Sequence, residues 1–344
     1  METDVRRTPG QTDGTGAPAV EVAHRTLDVN GLQMHIAEAG TGPLVLLLHG
    51  WPESWYSWRH QIPALAAAGY HVVAPDQRGY GDTEVPPRVE DYTIEHLVDD
   101  VTALIGAVGQ EKAVVVGHDW GAIVAWEMAK MRPERVTAVV GLSIPDRFAE
   151  PSGTAATPIA GMRAALGDDF YIVHFQQPGV ADAAFAAALE RDPEGLFRRI
   201  MYTASGDGPG WSTMVPTGGT IVDSLLDAPA TLPGWAAEQD ARTYAAQFQR
   251  SGFTGALNWY RNLDRNWELS ASWRHNPAQA PALFLIGGHD GALGLPQTQE
   301  LISGDSRSFP HLRESVVLPG CGHAIQQERP EQVNDVLIRF LRSL

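Results

Sequence analysis

Gly117-His118-Asp119-Trp120-Gly121 follows directly on the apolar run Ala113–Val116 and leads into a stretch of helix-forming residues that ends near Met131. The pattern is small-x-acid-x-small at the junction of a buried strand and a helix. A turn this tight forces its central residue into strained backbone, and glycines two positions to either side remove the clashes. The central side chain is lifted above the sheet edge, at the positive end of the following helix. Here that side chain is a carboxylate, already ionised at neutral pH and able to attack without a base. It is a poor nucleophile toward amides and esters. It is a competent one at a saturated carbon whose leaving group can be protonated. The rival reading, Asp119 as a plain helix N-cap, leaves the paired glycines unexplained.

An ester formed on Asp119 must be hydrolysed, which calls for a base. His323 stands in Gly320-Cys321-Gly322-His323, on a loop between the last strand and the last helix. An acid is expected after the strand Ala282–Ile286, and Asp290 in Gly287-Gly288-His289-Asp290 meets that expectation. The chain order nucleophile, acid, histidine then suits a triad in which Asp290 holds one tautomer of His323 and stabilises its imidazolium. Asp146, just beyond the strand Val136–Leu142, is the rival acid. His118 adjoins the nucleophile but is expected to point away from the site and to be structural. Cys321 reads as a small packed residue.

These side chains need a scaffold. Residues 22–38 alternate apolar and polar about Asn30-Gly31, an opening hairpin. Leu44–Leu48, Val72–Ala74 and Ala113–Val116 are continuous apolar runs, as expected of strands buried on both faces. Ile94 to Val108 has apolar residues near a 3.6 period, the mark of an amphipathic helix. The alternation predicts an α/β fold with a doubly wound, mostly parallel sheet. It stops between Pro145 and His275, where helical patterns (Ala181–Glu190; Ala241, Tyr244, Ala245, Phe248) flank an irregular connection over 206–234. Strands resume at Ala282–Ile286 and Ser315–Leu318, and a last helix covers Glu331–Leu341. The expected organisation is a tail over 1–20 without order, a core of 21–144 and 276–344, and an inserted helical cap over 145–275.

The chain has 344 residues, 44% hydrophobic and 19% charged, and a formal net charge of −16. That charge supplies no basic surface for nucleic acid. No apolar run reaches the roughly 20 residues of a membrane span, and Arg6-Arg7 lacks the apolar stretch a secretion signal would need. The single cysteine excludes an internal disulfide and a Cys-based zinc site. A cytoplasmic monomer or homodimer is expected, with no metal and no cofactor.

With these residues in view, a resemblance emerges. His49-Gly50-Trp51-Pro52, Asp76-Gln77-Arg78-Gly79-Tyr80-Gly81, His118-Asp119-Trp120-Gly121 and the histidine loop resemble the soluble epoxide hydrolases of the α/β-hydrolase fold. The core motifs are shared with haloalkane dehalogenases. Phe175-Gln176-Gln177-Pro178-Gly179, Ser251-Gly252-Phe253 and Leu257-Asn258-Trp259-Tyr260-Arg261-Asn262 resemble epoxide hydrolase cap motifs. The resemblance implies that Tyr171 and Tyr260 bind the epoxide oxygen and that Trp51–Pro52 is cis. It gives the N–H groups of Trp51 and Trp120 the oxyanion hole. The phenols also make chemical sense, because ring opening develops an alkoxide far more basic than phenol, whose pKa is about 10. His49 and the Asp76–Gly81 loop read as structural. The expected substrate is a small apolar epoxide, with Phe170, Phe175, Trp211, Trp259 and Trp267 suggesting an apolar tunnel; the expected co-substrate is water. A dehalogenase using the same Asp and His is the alternative, but it has no use for two tyrosines. A non-catalytic binding protein would usually lack part of the triad.

Overall fold

The structure is a computed structural model and describes residues 6–7, 20–146 and 156–344. Strands β1 (Arg6–Arg7), β2 (Ala23–Val29), β3 (Leu32–Ala39), β4 (Leu44–Leu48), β5 (His71–Pro75), β6 (Ala113–His118), β7 (Val136–Leu142), β8 (Ala282–Gly287) and β9 (Leu312–Leu318) form one sheet. Its order is β1-β2-β3-β5-β4-β6-β7-β8-β9. The first three strands pair antiparallel and the hairpin turns at Asn30-Gly31, both at positive φ. From β5 onward every pairing is parallel. The expected tail lies outside the described residues except for Val20 and Arg6–Arg7, the latter pairing with Ala23–His24.

The apolar runs are strands because both faces are covered. Leu44, Leu46 and Leu48 of β4 pack in one core with α2 (Ile94–Ala107) and α3 (Trp120–Met131). Val45 and Leu47 join the other core with α1 (Gln61–Ala67) and α13 (Pro330–Leu341). Each leucine or valine so buried contributes roughly 1.5–3 kcal/mol, and period 2 divides that gain between two helical layers.

Between β7 and β8 the described residues contain α4 (Pro158–Leu166), α5 (Tyr171–His174), α6 (Val180–Arg191), α7 (Pro193–Ala204), α8 (Glu238–Ser251), α9 (Thr254–Arg261) and α10 (Leu263–Leu269). One isolated bridge, Phe170–Met214, is the β pairing recorded there. The irregular stretch over 206–234 holds a single 3₁₀ turn, Ile221–Ser224. Helix α7 follows α6 after one residue, Asp192, whose carboxylate accepts from Gly195 N–H at 2.9 Å while Pro193 opens the first turn. Helices α11 (Pro296–Ser303) and α12 (Ile325–Glu328) complete the chain. Among the described residues no helix is long and apolar enough to cross a membrane.

Candidate active site

Asp119 sits between β6 and α3 at φ 51°, ψ −119°, and its side chain caps nothing. The N-cap alternative is thus set aside. The glycines around it are obligatory, since a Cβ on Gly117 would fall 2.0 Å from Gly121 O, and one on Gly121 2.1 Å from Leu48 O. Gly50 is equally tight, with a Cβ there 2.4 Å from that of Asp119.

His323 Nε2 lies 3.3 Å from Asp119 Oδ2, and its Nδ1 lies 2.8 Å from Asp290 Oδ2. The three residues come from the ends of β6 and β8 and from the loop after β9. Asp146 is placed elsewhere: its Oδ1 accepts from the buried Lys130 ammonium at 2.5 Å, and Lys130 also reaches Glu127 at 3.3 Å. A buried cation on α3 neutralises the rival acid. Trp51 N–H donates to Asp119 Oδ1 at 2.8 Å. Trp120 opens α3, so its amide has no intrahelical acceptor. The Trp51–Pro52 peptide is cis.

Electrostatics follow from this packing. Burial by itself would raise the Asp119 carboxyl, but the hydrogen bond and charge of His323 and the Trp51 amide hold it below the usual carboxylate range. Asp290 is depressed likewise, against its burial, by His323 and the Ala292 amide. Burial would lower His323, yet the flanking carboxylates of Asp290 and Asp119 lift it well above its ordinary value. The two flanking carboxylates therefore favour the protonated form of His323 in the free site. The Asp119 and His323 side chains keep 15% and 26% exposure, so open space lies in front of them.

The insertion supplies the roof. Tyr171 begins α5 and Tyr260 lies in α9, with ring centroids 6.2 Å apart. Burial first raises both phenols above the ordinary tyrosine value, followed by the Asp119 charge for Tyr171 and by Tyr171 and then Asp119 for Tyr260. The Tyr260 ring also meets that of Trp120 edge-on, centroids 5.1 Å apart. The two cap motifs lock each other: Gln176 Nε2 donates to Tyr260 O at 3.0 Å, and Arg261 Nε donates to Phe175 O at 3.1 Å. Trp259 ties them to the core through its indole N–H on Arg78 O at 3.0 Å. Tyr171 N–H donates to Thr213 O at 2.9 Å, and its ring meets Phe170 and Trp211 at 5.0 and 4.8 Å. Trp267 instead lies under the Arg274 guanidinium.

Several supports had no local signal. His118, read as structural, braces the histidine loop: its Nε2 donates to His323 O at 2.9 Å while Nδ1 meets the buried Glu53 carboxylate at 3.0 Å. Ser143 Oγ donates to the same carbonyl at 2.7 Å. His49 is structural, with Nδ1 on Gly50 O at 2.9 Å and Nε2 accepting from Gln77 N at 3.0 Å. One group among the described residues could hold a metal ion: His35, Asp76 and Asp82 have ligand atoms within 4.8 Å of one another. It lies apart from the triad, and internal pairs account for it, His35 Nδ1 to Asp76 at 2.8 Å and Arg250 to Asp82.

Residues 43–330 match the family described as alpha/beta hydrolase fold. Epoxide hydrolase 3 of Siraitia grosvenorii is 43% identical over 323 residues, covering 93% of this chain and 98% of the relative. Epoxide hydrolase A of Mycobacterium tuberculosis is 43% identical over 337 residues, covering 96% and 99%. The chain belongs to the soluble epoxide hydrolase family of α/β hydrolases. The crystal structure of an epoxide hydrolase from Vigna radiata superposes with a TM-score of 0.84 at 41% identity, covering 94% of this chain and 99% of that one. Sheet and insertion are thus shared with enzymes of that name along nearly their whole length.

Proposed function

We propose that this enzyme opens small apolar epoxides to vicinal diols through an ester on Asp119. The observation that carries the reading is the carboxylate on a strained turn, backed by His323–Asp290 and roofed by two phenols. Trp51 N–H already holds Oδ1, so Oδ2 is the attacking atom and Oδ1 becomes the ester carbonyl oxygen. As the new C–O bond forms and the ring C–O bond breaks, the nascent alkoxide takes a proton from Tyr171 or Tyr260.

Esterification removes the Asp119 charge, one of the two that hold the proton on His323. That proton passes to the tyrosinate, and neutral His323 is then the base. His323 deprotonates water, hydroxide adds to the ester carbonyl, and the amides of Trp51 and Trp120 receive the oxyanion. Collapse breaks the ester bond. Of the two water protons, one leaves with the diol oxygen through His323 and the other, shed by the Asp119 carboxyl, recharges His323.

The dehalogenase alternative needs donors for a halide. The Trp51 indole N–H is buried without a partner and could serve, but a halide site has no use for the Tyr171 and Tyr260 phenols that roof Asp119. Assays with styrene oxide and with 1,2-dibromoethane separate the readings. Diol from the first and no bromide from the second is expected. Bromide release without diol would overturn the proposal.

A further inference from the structure

The loop that carries His323 is built onto the insertion. His323 N–H donates to Ala204 O at 2.8 Å, and Ala204 is the last residue of α7. The backbones touch: a Cβ on Gly322 would fall 2.3 Å from Gly206 N and 2.4 Å from Ser205 C. On the other side, a Cβ on Gly287 at the end of β8 would fall 2.0 Å from Gly322 O. The histidine loop is therefore sandwiched between the sheet and the end of α7.

One carboxylate lies in this junction. Glu328, the last residue of α12, is 3% exposed. Its Oε2 accepts from Gly322 N at 2.9 Å and from Gly206 N at 2.9 Å. A single oxygen thus ties the residue before His323 to the residue two beyond α7. A buried carboxylate oxygen is costly unless it is hydrogen-bonded; Oε2 is bonded twice while Oε1 has no partner among the described residues, and without Glu328 both amides would lose their acceptor.

We infer that Glu328 is a positioning residue for ester hydrolysis, docking the end of α7 on the histidine loop and so fixing His323. The inference rests on the covalent reading above. Glu328 touches no reacting atom. Alkylation needs Asp119 and the phenols, neither of which Glu328 holds. Hydrolysis needs His323 Nε2 within hydrogen-bond reach of a water beside the ester, and a misplacement of about 1 Å costs roughly 10²-fold.

Single-turnover kinetics with styrene oxide, read by intact mass, separate the two steps. In Glu328→Ala, hydrolysis should fall about 10- to 100-fold while alkylation stays near wild type, so the ester accumulates. Glu328→Gln keeps an oxygen that can accept both amides and should restore hydrolysis. Glu328→Asp keeps the charge but is one methylene too short to span both, and should repeat the step-selective loss; it also serves if the alanine variant does not fold. Equal loss in both steps, or lowered thermal stability with wild-type hydrolysis, would overturn the inference. His323→Gln is the control. If it traps no ester, the covalent reading itself fails; if it traps ester while Glu328→Ala and Glu328→Asp hydrolyse normally, only the role of Glu328 fails.

Discussion

Replacing Tyr171 and Tyr260 by Phe, singly and together, removes the two acidic hydrogens offered to the epoxide oxygen and little else. A hydrogen bond to a charged group contributes about 1.5–3 kcal/mol, roughly 10- to 150-fold in rate at about 1.4 kcal/mol per decade. Each single variant should therefore lose that much in the alkylation rate, because the other phenol still faces the ring. The double variant should lose at least the product, roughly 10²–10⁴-fold, which is also the range of a general acid. Stopped-flow tryptophan fluorescence on a styrene-type epoxide reads alkylation directly, and thermal melts check that the variants stay folded. A double variant with wild-type kcat/KM would make both tyrosines packing residues and revive the dehalogenase.

Three further outcomes follow from the same geometry. Asp119 is held below the ordinary carboxylate range and His323 above its ordinary value, so on acidification Asp119 stays charged and keeps attacking. Hydrolysis fails first, as His323 in the ester takes up its proton, and quenched-flow mass analysis should find the ester fraction rising as pH falls; parallel decline of both steps would contradict this. Asp290→Asn should abolish hydrolysis, whereas Asp146→Asn should keep kcat per folded molecule and lower stability, by about 3–5 kcal/mol, because Lys130 loses a buried partner. Gly121→Ala places a Cβ 2.1 Å from Leu48 O, an overpacking at or beyond the usual ~1–3 kcal/mol, and should give little folded protein in a melt or solubility assay.

Much of this site is legible before any coordinates. The core strands read clearly because burial on both faces leaves no polar position in Leu44–Leu48 or Ala113–Val116. The Asp119 turn reads clearly because its glycines answer a local steric demand. Strand β9 starts at Leu312, three residues before the expected Ser315, because its exposed positions Arg313 and Glu314 break the apolar run. Helix α3 starts at Trp120, directly after Asp119, since the tight turn leaves no linker. Long-range partners are another matter. Asp146 and Asp290 both follow strands, and it takes the placement of His323 beside one and Lys130 beside the other to distinguish them. Glu53, Ser143 and Glu328 support the His323 loop through pairs with no periodicity or motif to betray them.

The central claim is that water attacks the Asp119 ester carbonyl and not the epoxide carbon. A single turnover of enzyme in excess over epoxide, run in ¹⁸O-water and followed by mass analysis of the peptide containing Asp119, tests it directly. The account predicts label in the Asp119 carboxylate and a first diol without solvent oxygen at the opened carbon. Label in that first diol, with Asp119 unlabelled, would mean that water opens the ring and that Asp119 is only a base.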